Sequence, residues 1–414
     1  MLATAAAHRS APAADVFADL VGQDEVVTTL RRAAAAAAEL VSAFSQGVEP
    51  ATSTSAMTHA WLFTGPPGSG RSVAARAFAA ALQCHTGIGC GQCPGCRTTL
   101  AGTHADVRQV VPEGLSIPVS QMRELVLRAA SAPAGDRWQV LLVEDADRLT
   151  EAAGNALLKA IEEPPPRSVF LLCTPSLHPD DISVTIRSRC RVVTLRQPPI
   201  PAVAGLLQSR DGIPAEVATW AAAAAQGHVG RARRLAADPD AQQRRQAVLG
   251  VPRRLTSVGA CFDAASALIE AAEAEAAATV ADLDAAERAA LETALGAGGT
   301  GRGAAGAFRG AAGQLKELER RQKSRATRAQ RDALDRALMD LAGFYRDVLA
   351  TSLGASVDPV HTDAAEMVQA AATRWSPEST LRRLEAVLAC RRAIDANVKP
   401  RIAVEAMMLA LWRG

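Results

Sequence analysis

Gly65-Pro66-Pro67-Gly68-Ser69-Gly70-Arg71-Ser72 follows the apolar run Ala60-Trp61-Leu62-Phe63-Thr64 and leads into a stretch with Val73, Ala77, Phe78, Ala81 and Leu82 at helical spacing. The octapeptide fits G-x-x-x-x-G-K-[ST] at every defined position except the lysine. Between a strand and a helix, such a loop turns its backbone N–H groups and the helix N-terminus toward a phosphate. The plain alternative is a glycine-rich turn with no ligand. The departure matters chemically, because lysine is a compact charge that reaches the β- and γ-phosphates, whereas arginine is larger, planar and forked. No neighbour in sequence can substitute. The chain has only four lysines (Lys159, Lys316, Lys323 and Lys399) among 45 basic residues, so the other 41 are arginines and no lysine precedes position 159. ATP or ADP with Mg²⁺ is a candidate ligand, productive hydrolysis is not expected, and a relic loop stays open as a reading.

Outward from the loop, strand-like runs at 60–64, 107–111, 139–143, 169–173 and 191–195 alternate with helical segments such as 72–83 and 150–163. This is the pattern of a parallel sheet with crossover helices. In 150–163, Leu157, Leu158 and Ile161 supply a face that can pack on the sheet. Gln197-Pro198-Pro199-Ile200-Pro201 ends the alternation and marks a domain edge. Beyond it the reading is all helix: short helices over 201–237, then longer ones including 315–353 and 379–411. The glycine-rich run 296–313 is expected to be a flexible linker or insert.

The 414 residues exceed the roughly 100–200 of one domain. With 49% hydrophobic and 21% charged residues the composition is that of a soluble globular protein. A formal charge of +2 excludes a generally basic nucleic-acid coat, and 3% aromatics with the single Tyr345 argue against a row of stacked bases on a single strand. No apolar run is long enough to span a bilayer. The N-terminus lacks the pattern of a signal peptide, so a cytoplasmic, reducing location without membrane attachment is expected.

Four of the eight cysteines cluster as Cys84, Cys90, Cys93 and Cys96. Four thiolates in a Gly/Pro-containing loop can close a tetrahedral Zn²⁺ site with no open position, hence a structural one. A redox Cys-x-x-Cys pair or unliganded buried cysteines are the alternatives. The run 139–143 delivers Glu144-Asp145 to a strand end, where a Mg²⁺-binding acid and a water-activating acid sit in P-loop enzymes. The order is reversed from the usual Asp then Glu, and capping of the next turn is the bland alternative. Thr174 closes the next strand, in position to sense a γ-phosphate. Arg187-Ser188-Arg189-Cys190 offers either a surface salt bridge or an arginine reaching a neighbouring subunit's phosphate, and residue types do not decide between them. The most basic stretch, 319–328, reads as a solvated helix, with contact to DNA or an acidic partner as the sharper alternative.

As a set, Phe17-Ala18-Asp19-Leu20-Val21-Gly22-Gln23, His59-Ala60, the loop, the cysteine module, Asn155-Ala156-Leu157-Leu158-Lys159-Ala160-Ile161-Glu162-Glu163-Pro164-Pro165 and Ser188-Arg189-Cys190 resemble the bacterial clamp-loader members of the AAA+ family. The resemblance covers about residues 16–235. It implies a RecA-like domain over 1–197 carrying a zinc module at 84–96, a helical lid over 198–245, and a C-terminal helical collar over 246–414. It implies a hetero-pentamer with gamma/tau and delta subunits of DNA polymerase III that places a sliding clamp on primed DNA. By this match Gly65, Gly68, Gly70, Arg71 and Ser72 are the phosphate-loop contacts, with Glu144, Asp145 and Thr174 beside them. Arg189 is the finger offered in trans, and Arg231 is a candidate second phosphate-sensing arginine. The departures at Arg71 and Glu144-Asp145 suit a stator that need not hydrolyse ATP; an active gamma/tau-type ATPase subunit is the alternative.

Overall fold

The strand and helix expected around the glycine-rich loop are both present, as β1 (Ala60–Thr64) and α2 (Arg71–Leu82), preceded by α1 (Asp24–Gln46). The computed structural model describes residues 15–47, 56–294 and 304–414. They divide into two units. The first runs to Gly212 and includes Gly227–Val229; the second comprises Glu113–Leu115, Ile213–Gln226 and Gly230–Gly414.

In the first unit the chain continues through α3 (Pro94–Leu100), β2 (Val107–Val110), α4 (Val119–Ala129), β3 (Gln139–Val143), α5 (Glu151–Glu162), β4 (Ser168–Thr174), α6 (Val184–Arg189), β5 (Arg191–Thr194) and α7 (Ile200–Asp211). The five strands form one sheet in the order β2-β3-β4-β1-β5, every neighbouring pair parallel. The expected α/β architecture is therefore the observed one. β1, β3 and β4 are buried along their whole lengths, which explains why they read as continuous apolar runs and not as alternating ones. One sheet face packs on α2, with Trp61 meeting Phe78 edge-on at 4.9 Å between ring centroids. The other face gathers Leu62, Leu141, Phe170 and Leu172 with Leu157 and Ile161 of α5.

Helix α2 differs from its sequence reading in one respect. Its periodicity marks a single apolar face, yet Ala74, Ala75 and all residues from Ala77 to Leu82 are buried. The reason is that α1 and α3 cover the sides the sheet leaves open. A helix enclosed all round is built mainly of alanine because larger side chains would not fit between its neighbours.

The second unit is all helical: α8 (Ala215–Ala224), α9 (Val229–Ala237, its first residue grouped with the first unit), α10 (Pro239–Leu249), α11 (Val251–Arg254), α12 (Val258–Ala294), α13 (Ala304–Ser352), α14 (Ala365–Arg374), α15 (Pro377–Asp395) and α16 (Pro400–Arg413). Leu334, Leu338, Leu341, Tyr345 and Val348 of α13 form the spine of its core, against Leu268 of α12, Val387 of α15 and Met408 of α16. Two expectations are corrected here. The segment 379–411 is two helices, because Asn397 adopts φ 65° and Pro400 starts a new helix. Of the glycine-rich run 296–313, residues 296–303 lie outside the described residues, and the remainder enters α13 from Ala304.

One side chain ties three segments of the first unit together. The Gln23 carboxamide is 4% exposed; its Nε2 donates to the Ser69 carbonyl at 3.3 Å and the Arg196 carbonyl at 2.5 Å, and its Oε1 accepts from the Arg196 N–H at 3.3 Å. The turn before α1, the glycine-rich loop and the segment after β5 are thereby held in register. Gln23→Ala leaves three backbone groups without their partner, so it is expected to cost roughly 1–3 kcal/mol. The urea midpoint should fall at unchanged m-value.

Candidate functional site

β1 ends at Thr64, flanked in register by Thr174 of β4 and Thr194 of β5. The loop leaves from this interior strand, at the carboxyl edge of the sheet, where parallel α/β sheets bind ligands. The Ser69 N–H donates to the Pro66 carbonyl at 3.1 Å and closes the turn. Gly68 has φ +85°, and a Cβ there would stand 2.8 Å from Cβ and Cγ of His228, so only glycine admits both the backbone and the imidazole against it. α2 then starts at Arg71, and its N-cap Gly70 supplies no side-chain acceptor for the first-turn N–H groups. Two buried polar atoms at the loop, Ser69 Oγ and Arg71 Nη1, have no hydrogen-bond partner. Uncapped N–H groups with an unmet hydroxyl and guanidinium nitrogen are a donor set that fits a phosphate.

The acidic pair stands where the sequence places it. The Glu144 N–H donates to the Val110 carbonyl at 2.9 Å and its carboxylate accepts from the Gln109 amide. Asp145 takes a left-handed conformation, φ 50°, and opens the 3₁₀ turn Ala146–Arg148. Within that turn is a residue the motif reading passed over. Burial, reinforced by the neighbouring Asp145 charge, pushes the Asp147 carboxyl above the usual range, with Arg148 and Arg71 opposing. Thr174 is fully buried, and its hydroxyl donates to the Ser176 carbonyl at 3.1 Å, so its proton is engaged within its own strand end.

The two arginines of the Arg187-Ser188-Arg189 stretch separate cleanly. Arg187 turns inward and donates to the Leu177 carbonyl at 3.1 Å, a bond that anchors the preceding loop. Arg189 ends α6 with its side chain 40% exposed, held by Glu162 at 2.7 Å and by the Thr185 carbonyl at 3.0 Å. An ion pair this exposed is worth about 1 kcal/mol or less, so the guanidinium is restrained without being committed.

Cys84, Cys90, Cys93 and Cys96 bring their sulfurs within 4.8 Å of one another. A tetrahedral zinc with Zn–S bonds of about 2.3 Å needs sulfurs just under ~4 Å apart, so the cluster fits. All four are free thiols. The Cys90 N–H points at Cys84 Sγ at 3.3 Å and the Cys96 N–H at Cys93 Sγ at 3.4 Å, the kind of bond that orients thiolate ligands. Burial pushes the Cys84 thiol up, but hydrogen bonds from the Thr86 hydroxyl and the Cys90 N–H outweigh it and bring it down to about 5. Gly95 sits in the first turn of α3, where a Cβ would lie 2.2 Å from the Gln83 carbonyl; this close approach seats the cysteine loop on the end of α2.

Other sequence candidates are accounted for elsewhere. Arg231 is paired with Asp340 within the second unit. In the basic stretch, Arg320 pairs with Glu317 within α13, Arg321 with Glu113, and Arg325 with Asp284 and Glu287 of α12, so Arg325 ties α13 to α12. Gln23 and His228 complete the loop's surroundings and carried no sequence signal of that role, since neither contact is visible without the fold.

Residues 41–199 match the family described as DNA polymerase III, delta subunit. The chain is 36% identical over 177 residues to DNA polymerase III subunit tau of Escherichia coli, an alignment covering 42% of this chain and 24% of that protein. It is 36% identical over 207 residues to DNA polymerase III subunit delta' of Pseudomonas aeruginosa, covering 48% of this chain and 61% of that protein. A gamma subunit-related protein of Thermotoga maritima aligns over 85% of this chain and 93% of that one, at 16% identity and a TM-score of 0.36, a likeness too low to carry argument. The chain thus spans about a quarter of the tau relatives and less than two thirds of the delta' relative. Over the matched residues the chain is similar to these subunits of DNA polymerase III.

The environment of Asp147 yields a pH-dependent outcome. A carboxyl whose folded pKa is raised contributes stability below the ordinary carboxylate range and loses it as pH rises through the folded value. Asp147→Asn mimics the protonated form and is expected to be more stable than wild type at pH 7–8, the difference narrowing as pH falls toward about 4. Urea midpoints across that range check it; a difference independent of pH assigns the effect to packing.

Proposed function

We propose that this chain is a delta-prime-type stator of a DNA polymerase III clamp loader. It sits beside gamma/tau and delta subunits in a hetero-pentamer and helps to place a sliding clamp on primed DNA. The observation that carries the reading is Arg71 in the lysine position of an otherwise intact phosphate cradle. A forked guanidinium can hold a phosphate but is a poor replacement for a lysine that must follow charge onto the γ-phosphate. Glu144 and Asp145 in reversed order support the same conclusion, and ADP or ATP with Mg²⁺ would be held there without turnover. The residues that would hold such a nucleotide are Gly65, Gly68, Gly70, Arg71 and Ser72, with Glu144, Asp145 and Thr174 at the adjoining strand ends.

Arg189 is the finger given to the neighbouring ATPase site. Its exposure at the end of α6 and its restraint by one weak ion pair support this role. The three-part organisation, 1–197, 198–245 and 246–414, belongs to the same proposal. So do a cytoplasmic location and a structural zinc at Cys84, Cys90, Cys93 and Cys96. Among the described residues no helix is long and apolar enough to cross a membrane.

A second reading, an active ATPase subunit of the tau type, is favoured by the identity to tau relatives. The two separate experimentally. In a complex reconstituted with partner subunits, Arg189→Ala is expected to lower the DNA-stimulated ATPase by about 10³-fold or more while assembly is retained, the scale of a lost finger. Unchanged turnover rejects the finger. The isolated chain should hydrolyse no ATP with Mg²⁺ above background; steady turnover by the isolated chain, unaltered in Arg71→Lys, selects the tau-type reading. Reduced, unchelated protein should carry one zinc per chain by elemental analysis, with Cys93→Ser losing most of it.

A further inference from the structure

The helical unit contains a cavity of about 170 Å³ ringed by Arg231, Arg234, Arg244, Arg245, Arg254 and Arg336. These arginines come from α9, α10, α11 and α13, so their convergence is a product of the tertiary fold and not of one basic stretch. Between them the walls are aliphatic, with Leu235, Val248, Val251 and Leu268 joined by alanines of α12 and α13, and among the described residues no aromatic ring lines the space.

Like charges brought together from four helices need compensation, and among the described residues the carboxylates in ion pairs with them are fewer than the arginines. Glu275, in the wall, receives Arg234 at 2.5 Å, Arg336 at 2.7 Å and Arg244 at 3.4 Å. Asp340 receives Arg231 and, at 3.7 Å, Arg245. Outside the wall, Asp238 takes a second bond from Arg244, and Asp363 binds Arg245 through both oxygens. Among the described residues, four carboxylates are thus shared by five of the six guanidinium groups. Arg254 gives an N–H to the Ala247 carbonyl and not to an acid.

The cavity is also polarised along its depth. Arg231 and Arg245 lie at its buried end with Asp340, whereas the side chains of Arg234, Arg244 and Arg336 are about one-third exposed, at 34%, 32% and 34%, and Arg254 is exposed. A group seated here would lay its body along the aliphatic walls and keep its head at the positive charge of the mouth. The volume resembles the ~150 Å³ apolar cavity that admits a benzene-sized guest. Guanidinium forks match a carboxylate in geometry and charge. With no ring to stack on, a nucleobase gains little here. A bare inorganic anion would leave the aliphatic walls unused.

We propose that this cavity binds an aliphatic carboxylate, its branched alkyl body against Val248 and Leu268 and its anionic head at the mouth arginines. Such a group is presented either by a small free acid or by the C-terminal leucine of another chain. Isothermal titration of the whole 414-residue chain, purified without chelator, distinguishes these sources. The probes are 4-methylpentanoate, its amine counterpart, inorganic phosphate, and the peptide Gly-Gly-Ser-Leu with a free or an amidated C-terminus. The expected result is saturable binding of 4-methylpentanoate or of the free-terminus peptide at about millimolar Kd, none of the amine, and phosphate at least tenfold weaker. Tighter binding of the free acid assigns a small-molecule source. Tighter binding of the peptide, lost on amidation, assigns a chain terminus. Ala271→Phe, which plugs the rim, should abolish binding, and Arg336→Gln, which leaves Glu275 two partners, should weaken it about tenfold. Failure of both carboxylates to saturate wild type overturns the proposal, as does phosphate binding equally well or binding that survives Ala271→Phe in a folded variant.

Discussion

The burial of β1 between two parallel neighbours is the constraint on which the first unit depends. A strand paired on both edges and covered on both faces has one place to put its last backbone groups, the crevice at its carboxyl end. Thr64, Thr174 and Thr194 stand there in register, and the chain must turn at once into α2. The tight turn demands small residues, and the start of α2 then turns uncapped N–H groups outward. A turn that presents uncapped N–H groups is thus a geometric consequence of where β1 lies, whatever residue fills position 71. The form of the turn and the chemistry at position 71 can therefore vary separately, since one is set by backbone packing and the other by a single side chain.

The excess of arginine over lysine acquires a physical meaning in the second unit. Its guanidinium groups share carboxylates, as Arg234, Arg244 and Arg336 do at Glu275, and each fork reaches more than one acceptor. Arg245 contacts Asp363, His361 and the face of Trp220 with a side chain that is 2% exposed. A lysine could occupy none of these places with the same number of bonds. Burial, with the Arg245 charge beside it, holds the His361 imidazole down to about 4, so the ring is neutral and accepts from Arg245 through Nδ1 while its Nε2 donates to the Asp340 carbonyl.

Much of the first unit was legible because its elements are bounded by strong punctuation. The strands at 60–64 and 139–143 coincide with their expected limits, since each is an apolar run closed by a turn or a charge. The cysteine cluster was equally plain, its four ligands falling in one short loop. What the sequence could not reveal was contact across the fold. The all-round burial of α2 depends on α1 and α3 lying where they do; Gln23 reads as an ordinary polar residue until Ser69 and Arg196 are beside it. The break between α15 and α16 was hidden for another reason: apolar residues continue at helical spacing through Asn397 and Pro400, and periodicity outweighed the proline.

Helix α2 bears the glycine-rich loop at its first turn and the cysteine module against its last, and at 12 residues it spans about 18 Å. Enclosed on nearly every side, it cannot roll or slide without disturbing close-packed neighbours. It behaves as a short rod clamped at its far end, so the cysteine cluster is a foundation for the loop as well as a local staple. Slack at the clamp would reach the loop as a change in aim, not in composition. By thermodynamic reciprocity, any anion that steadied the loop would in turn tighten the hold on any metal bound at the other end.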